Sequence, residues 1–107
     1  KDKKKDKVEA NCRTTAKSLK LAKGDVIKVK CPKKCDKKGG TVWGTKDYTA
    51  DSSICKAAIH AGAMKKKGGK VKIRMIKGKK KYKGSKKHGV KTKKYGKYGA
   101  SFTFVKD

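Results

Sequence analysis

Trp43-Gly44-Thr45-Lys46-Asp47-Tyr48-Thr49-Ala50-Asp51-Ser52-Ser53-Ile54-Cys55-Lys56-Ala57-Ala58-Ile59-His60-Ala61-Gly62 is the stretch on which the fold turns. Asp51-Ser52-Ser53 offers a helix N-cap, with Asp51 favoured because a carboxylate also suits the positive end of the helix. Ile54, Cys55, Ala58 and Ile59 then recur at i, i+1, i+4 and i+5, which is one apolar stripe at helical spacing. Gly62 follows in the position where helices end in a left-handed residue. The spacing predicts a short helix from about Ser52 to Ala61. Ala57, Ala58 and Ala61 leave room for close neighbours. Trp43, Tyr48, Ile54, Ala58, Ile59 and His60 are the expected structural core, His60 as a buried, hydrogen-bonded side chain and the two aromatic rings packed inside.

Outward from this stretch the composition changes. The chain has 107 residues, with 35 Lys and Arg against 8 Asp and Glu, a formal charge of +27. Only Arg13 and Arg74 are arginine. Fifteen basic residues lie in 1–38 and eighteen in 65–107, whereas 39–64 holds only Lys46 and Lys56, matched by Asp47 and Asp51. A segment spared from so pervasive a bias is expected to be buried. Its flanks alternate with period two: Ile27, Val29 and Cys31 against Lys28 and Lys30; Val71, Ile73 and Met75 against Lys70, Lys72 and Arg74; Phe102 and Phe104 against Ser101 and Thr103. That is the pattern of half-buried antiparallel strands with lysine outward. Gly39-Gly40, Gly68-Gly69, Gly78, Gly84, Gly89, Gly96 and Gly99 read as turns between them. The fold class is therefore α+β, a central short helix wrapped by antiparallel strands. The length suits one domain, residues 11–107, behind a basic N-terminal segment, residues 1–10. The run Lys1 to Lys7, if ordered, must be held by a neighbouring molecule, an anionic partner or strand pairing.

Four cysteines, Cys12, Cys31, Cys35 and Cys55, read as two disulfides in an oxidising compartment, and their spacing leaves all three connectivities open. The secreted reading takes the chain as a mature one, since no signal segment is visible in it. No stretch approaches the roughly 20 apolar residues of a membrane span. A zinc site built from Cys31, Cys35, Cys12, Cys55 and His60 lacks a second paired cluster, so no metal or cofactor is expected. The carboxylates fall at no spacing suited to acid–base work, Ser52-Ser53 are better read as caps, and His60 has no nucleophile near it in sequence, so the chain reads as a non-enzyme. His88 reads as a turn residue.

Cys31-Pro32-Lys33-Lys34-Cys35, Val42-Trp43-Gly44-Thr45, Tyr48, Asp51-Ser52-Ser53-Ile54-Cys55, Ala57-Ala58-Ile59-His60-Ala61-Gly62 and Gly68-Gly69 together resemble the LCCL domain family. Tyr82-Lys83-Gly84-Ser85, Gly89-Val90, Tyr95-Gly96 and Ser101-Phe102 continue the likeness, which runs from about Asn11 to Val105. The resemblance implies a helix wrapped by strands and disulfides Cys12–Cys31 and Cys35–Cys55. It also implies extracellular location, no catalytic residues and, in some members, binding of lipopolysaccharide. Lysine saturation departs from the family pattern.

The charge itself carries the functional reading. Solubility needs a net charge of roughly 2 to 8 in a small domain. Lysine presents a point charge without the planar fork that selects one anion geometry. The expected partner is charge-dense and loosely specified, a polymer or a surface. Lys65, Lys66, Lys67, Lys79, Lys80, Lys81, Lys86, Lys87, Lys93 and Lys94 are the expected polyanion-binding residues, with Tyr82, Tyr95 and Tyr98 as surface aromatics among them. The leading expectation is an extracellular matrix or biomineral scaffold that assembles into an ordered lattice with silica or another anionic material. The alternative is recognition of lipopolysaccharide, bacterial surfaces or acidic glycans, for which Met64 and Met75 are the spare apolar residues. Nucleic acid is disfavoured by the disulfide framework.

Overall fold

A computed structural model describes residues 7–106. The strands are β1 (Lys7–Glu9), β2 (Val26–Cys31), β3 (Gly44–Thr45), β4 (Asp47–Thr49), β5 (Gly69–Lys79), β6 (Lys86–Lys87), β7 (Val90–Lys91) and β8 (Tyr98–Val105). The helix α1 spans Ile54–His60. One six-stranded sheet runs β1-β2-β5-β8-β4-β3, and β6-β7 form a separate pair. Among the described residues the strands pair antiparallel except β1 with β2, and an isolated parallel bridge joins Trp43 to Lys93. The α+β class is the one read from the sequence. Lys7 is indeed held by strand pairing, opposite Lys28; Lys1 to Asp6 lie outside the described residues.

The period-two pattern sorts the sheet's faces as expected. Ile27 pairs with Ile73, Val29 with Val71, and Met75 with Phe102. These residues share one buried cluster with Ile54, Ala57, Ala58 and Ile59 of α1. Phe102 is fully buried, but Phe104 only partly, at the margin of that cluster. Gly78 and Gly99 are not turn residues: they lie inside β5 and β8, where a Cβ on Gly78 would overlap the Tyr98 carbonyl and the Gly99 backbone. Close approach of two backbones requires glycine there.

The helix is shorter than predicted, and its cap differs. Ser53, not Asp51, is the N-cap residue, and it makes no side-chain cap bond. Its hydroxyl donates instead to the Cys12 carbonyl. The first helical N–H, that of Ile54, donates to the Thr14 carbonyl at 2.9 Å, so a neighbouring segment supplies the acceptor that an Asp51 cap would have offered. The C-terminal end follows the sequence expectation. Gly62 has φ +79, its N–H bonds Ile59 O at 3.0 Å, and Ala63 N–H bonds Ala58 O at 2.9 Å. This paired closure is the Schellman motif.

The cystine pairing implied by the resemblance is corrected. The bridges are Cys12–Cys35 and Cys31–Cys55, with Cα separations of 5.1 and 5.6 Å. Cys31 ends β2 on its buried face, where α1 packs, and so meets Cys55 of the first helical turn. Cys35, in the following loop, is left to the N-terminal segment. Each bridge closes a loop of about 23 residues, worth about 3 kcal/mol in the chain-entropy account.

Candidate anion-binding surfaces

At the centre of the fold lies a polar chain rather than an open site. Tyr48 and His60 are both 0% exposed. The phenol meets His60 Nδ1 at 2.9 Å, and His60 Nε2 meets Ser85 Oγ at 3.0 Å. Ser85 Oγ lies 2.7 Å from Thr45 Oγ1, which donates to the Lys83 carbonyl at 2.9 Å. Protons are consistently placed if Tyr48 donates to Nδ1 and Nε2–H donates toward Ser85. Burial lowers the His60 pKa, opposed by the Ser85 carbonyl and reinforced by the Lys87 and His88 charges. Burial likewise pushes the Tyr48 phenol up to about 12. A neutral imidazole thus ties α1 to β4 and to the segment before β6. Sequence reading placed His60 in the core correctly but did not find Ser85, which stands 25 positions away. Ser85 Oγ is also engaged by Thr45, and its own N–H donates to Thr92 Oγ1 at 2.9 Å.

Among the described residues several basic surfaces surround this kernel. The first is the outer face of the sheet, where register places Lys7 beside Lys28 and Lys28 beside Lys72, and, two residues along, Glu9 beside Lys30 and Lys30 beside Lys70. Strands lie about 4.8 Å apart and same-face residues about 6.7 Å apart along each strand, so these side chains spring from a regular grid of backbone positions. Glu9 stands within it, 3.9 Å from Lys30, both side chains exposed. None of these lysines was among the ten expected ligands. The alternation of Lys70, Lys72 and Arg74 in the sequence was the signal that could have found them.

The second surface is a groove of ≈600 Å³ at the C-terminal end of α1. Ile59 and Met64 line it with Lys65, Lys66, Lys67 and the ring of His88. His88 is more than a turn residue. Its φ is +52, and its Nδ1 lies 3.1 Å from the His60 carbonyl, so the ring covers the Gly62 turn. Lys66 also lies 3.8 Å from Asp36. Met64 and Met75, expected as spare apolar residues, both belong to the core cluster, 8% and 2% exposed, and Met64 lines the groove from its edge.

The third is a groove of ≈730 Å³ between the segments 80–84 and 94–96, lined by Lys80, Lys81, Lys83, Lys94 and Tyr95. Tyr82 and Tyr95 exchange backbone bonds across it at 2.8 and 3.0 Å. Tyr82 is not a surface aromatic: it is 2% exposed, because its hydroxyl accepts the Lys79 N–H and reaches the Tyr98 carbonyl and Ser101 Oγ. Tyr95 does face solvent, and Tyr98 is half-buried, its phenol pKa raised by burial and then by Asp51. Trp43, expected in the core, is half-buried, its ring 6.1 Å from that of Tyr95.

The ten expected lysines are therefore not brought together. Lys65 to Lys67 rim the second groove, while Lys80, Lys81 and Lys94 line the third. Lys79 is exposed near it, 3.4 Å from Asp47. Lys86 and Lys87 sit exposed on β6, and Lys93 is bonded through its backbone to Val42. Among the described residues no group of three or more His, Cys, Asp or Glu side chains is placed to hold a metal ion, and no helix is long and apolar enough to cross a membrane.

Residues 7–102 match the family model described as LCCL domain. The chain belongs to the LCCL domain family. It is 40% identical over 65 residues to clotting factor C of Tachypleus tridentatus, covering 61% of this chain and 6% of that protein. It is 40% identical over 74 residues to vitrin of Mus musculus, covering 69% and 11%. It is 30% identical over 99 residues to human cochlin, covering 92% and 18%. This LCCL domain thus spans a small part of the length of each of these relatives.

Proposed function

We propose that this LCCL domain is a secreted, non-catalytic module that binds polyanions and serves as a scaffold in an extracellular matrix or mineral such as biosilica. The observation that carries this reading is the gridded outer face of the sheet. Lys28 stands opposite Lys72 and Lys30 opposite Lys70, so adjacent strands present lysines side by side on this face, with Glu9 next to Lys30. An anionic surface laid on that face meets several ammonium groups at once. The two disulfides support an oxidising, extracellular setting. Lysine's lack of a directional fork supports a partner defined by charge density. The test compares colloidal silica, heparin, lipopolysaccharide and DNA at one ionic strength. The wild-type chain is set against a variant with Lys28, Lys30, Lys70 and Lys72 all changed to Gln. Binding of silica that drops at least tenfold in the variant supports the reading. Silica binding that stays unchanged removes the scaffold function from this face, and silence toward all four anions removes polyanion binding altogether.

A second reading, recognition of lipopolysaccharide, is favoured by one specific feature. The groove beside α1 sets Ile59 and Met64 next to Lys65, Lys66 and Lys67, an apolar floor with a cationic rim suited to an acylated phosphosugar. Met64→Ser then weakens binding of lipid A while leaving inorganic polyphosphate binding intact. Equal retention of both rejects this second reading.

A further inference from the structure

The groove at Tyr95 differs from the other basic surfaces in offering a flat aromatic ring to solvent. Tyr95 is 45% exposed, and among the described residues Val26 is the other large apolar side chain left as open. The ring is not loose. Its backbone is bonded in both directions to Tyr82, whose own ring is anchored inside the fold. Its two ring neighbours cross it at steep angles, Trp43 at 6.1 Å and 63°, Tyr98 at 5.9 Å and 71°. An aromatic side chain fixed in this way binds with little further loss of conformational freedom. Lys80, Lys81, Lys83 and Lys94 line the same groove.

We propose that this groove binds the pyranose units of an acidic polysaccharide. Tyr95 carries the C–H face of a sugar ring, and the surrounding ammonium groups carry its carboxylates or sulfates. The inference rests on the polyanion reading and narrows it to one site and one ligand class. A mineral surface has no apolar face, so it gains nothing from a groove lined by an aromatic ring. A sugar acid has an apolar face and a charged edge, and the groove supplies a partner for each. A single-stranded nucleic acid would also stack on a tyrosine. Yet arginine, which stacks on bases and forks onto phosphate, is absent from this groove, and the chain's two arginines lie elsewhere.

The chain's one tryptophan, Trp43, stands against Tyr95 and reports on the groove through its fluorescence. The full chain is titrated with a heparin-derived oligosaccharide, inorganic polyphosphate and oligo-dT at about 0.15 M salt, where charges more than roughly 8 Å apart are screened. Tyr95→Ala is expected to lower oligosaccharide affinity about tenfold, as truncating an aromatic anchor does, and to change polyphosphate affinity less than about twofold, since a Coulomb partner has no use for the ring. Tyr95→Leu, which keeps apolar bulk without a flat face, is expected to lose the same factor and serves if the alanine variant does not fold. Tyr95→Phe is expected to retain binding. Unchanged oligosaccharide affinity in both truncations overturns the proposal while leaving polyanion binding standing, as does a loss confined to oligo-dT. Failure of the wild-type chain to bind any of the three overturns the broader reading instead.

Discussion

His60 shows what one side chain does in this fold. It is enclosed between Tyr48 and Ser85, and burial holds its pKa below the usual value. In the unfolded chain an imidazole titrates near 6.5. Above about that pH both states carry a neutral ring. As pH falls through 6.5 toward the depressed folded value, the unfolded chain takes up a proton that the folded one refuses, so stability falls. Melting temperature measured between pH 7.5 and 5.5 should drop, and a profile that is flat over that window refutes the buried neutral ring. Tyr48→Phe leaves Nδ1 without its donor in a site closed to water, and a loss of about 1–3 kcal/mol is expected in chemical denaturation. Sequence reading placed both residues in the core from the spared charge around them. It could not place Ser85, because the contact joins α1 to a distant segment.

The helix and its closures show what is decided between elements. Gly62 was legible as the end of α1, and its φ of +79 makes the reason concrete. A Cβ there would stand 3.0 Å from His88 Cε1. Gly62→Ala is expected to lower stability by about 1 kcal/mol or more, measured by thermal melting, and a neutral result would contradict this turn geometry. The helix start was misread because Thr14 provides the acceptor for Ile54, and no local pattern announces a partner forty positions away. The same holds for the cystines, since the bridge from β2 to α1 depends on which face of β2 meets the helix. A non-reduced tryptic digest decides it. The peptide 8–13 should be found linked to 35–37, and 31–33 to 47–56. Recovery of 8–13 joined to 31–33 would restore the pairing that the family resemblance implies.

Across the whole molecule, 35 basic residues share a surface of 6823 Å², about one per 200 Å², a mean spacing beyond the screening length in physiological salt. The sheet face concentrates them more tightly than this mean, since Lys28 and Lys72 are paired across neighbouring strands. Self-repulsion should therefore grow as the Debye length lengthens to about 30 Å in 0.01 M salt. Melting temperature is expected to rise on going from 0.01 to 0.15 M sodium chloride. A constant or falling value would mean that the like charges are already compensated within the fold.

By itself, the sequence determined the architecture's class, the buried segment, the two strand faces and the helix-ending glycine. Those are properties of local periodicity and of charge exclusion, and each is written within a few residues. Only the tertiary structure decided which cysteines meet, which carbonyl caps α1, and which lysines share a face. The rings of Tyr82 and Trp43 belong here as well, since both were assigned by the charge around them, whereas Tyr95 lies in solvent as expected. Burial depends on what packs against a ring: Tyr82 turns inward because Lys79, Tyr98 and Ser101 satisfy its hydroxyl, while Tyr95, its backbone partner, is left in the water.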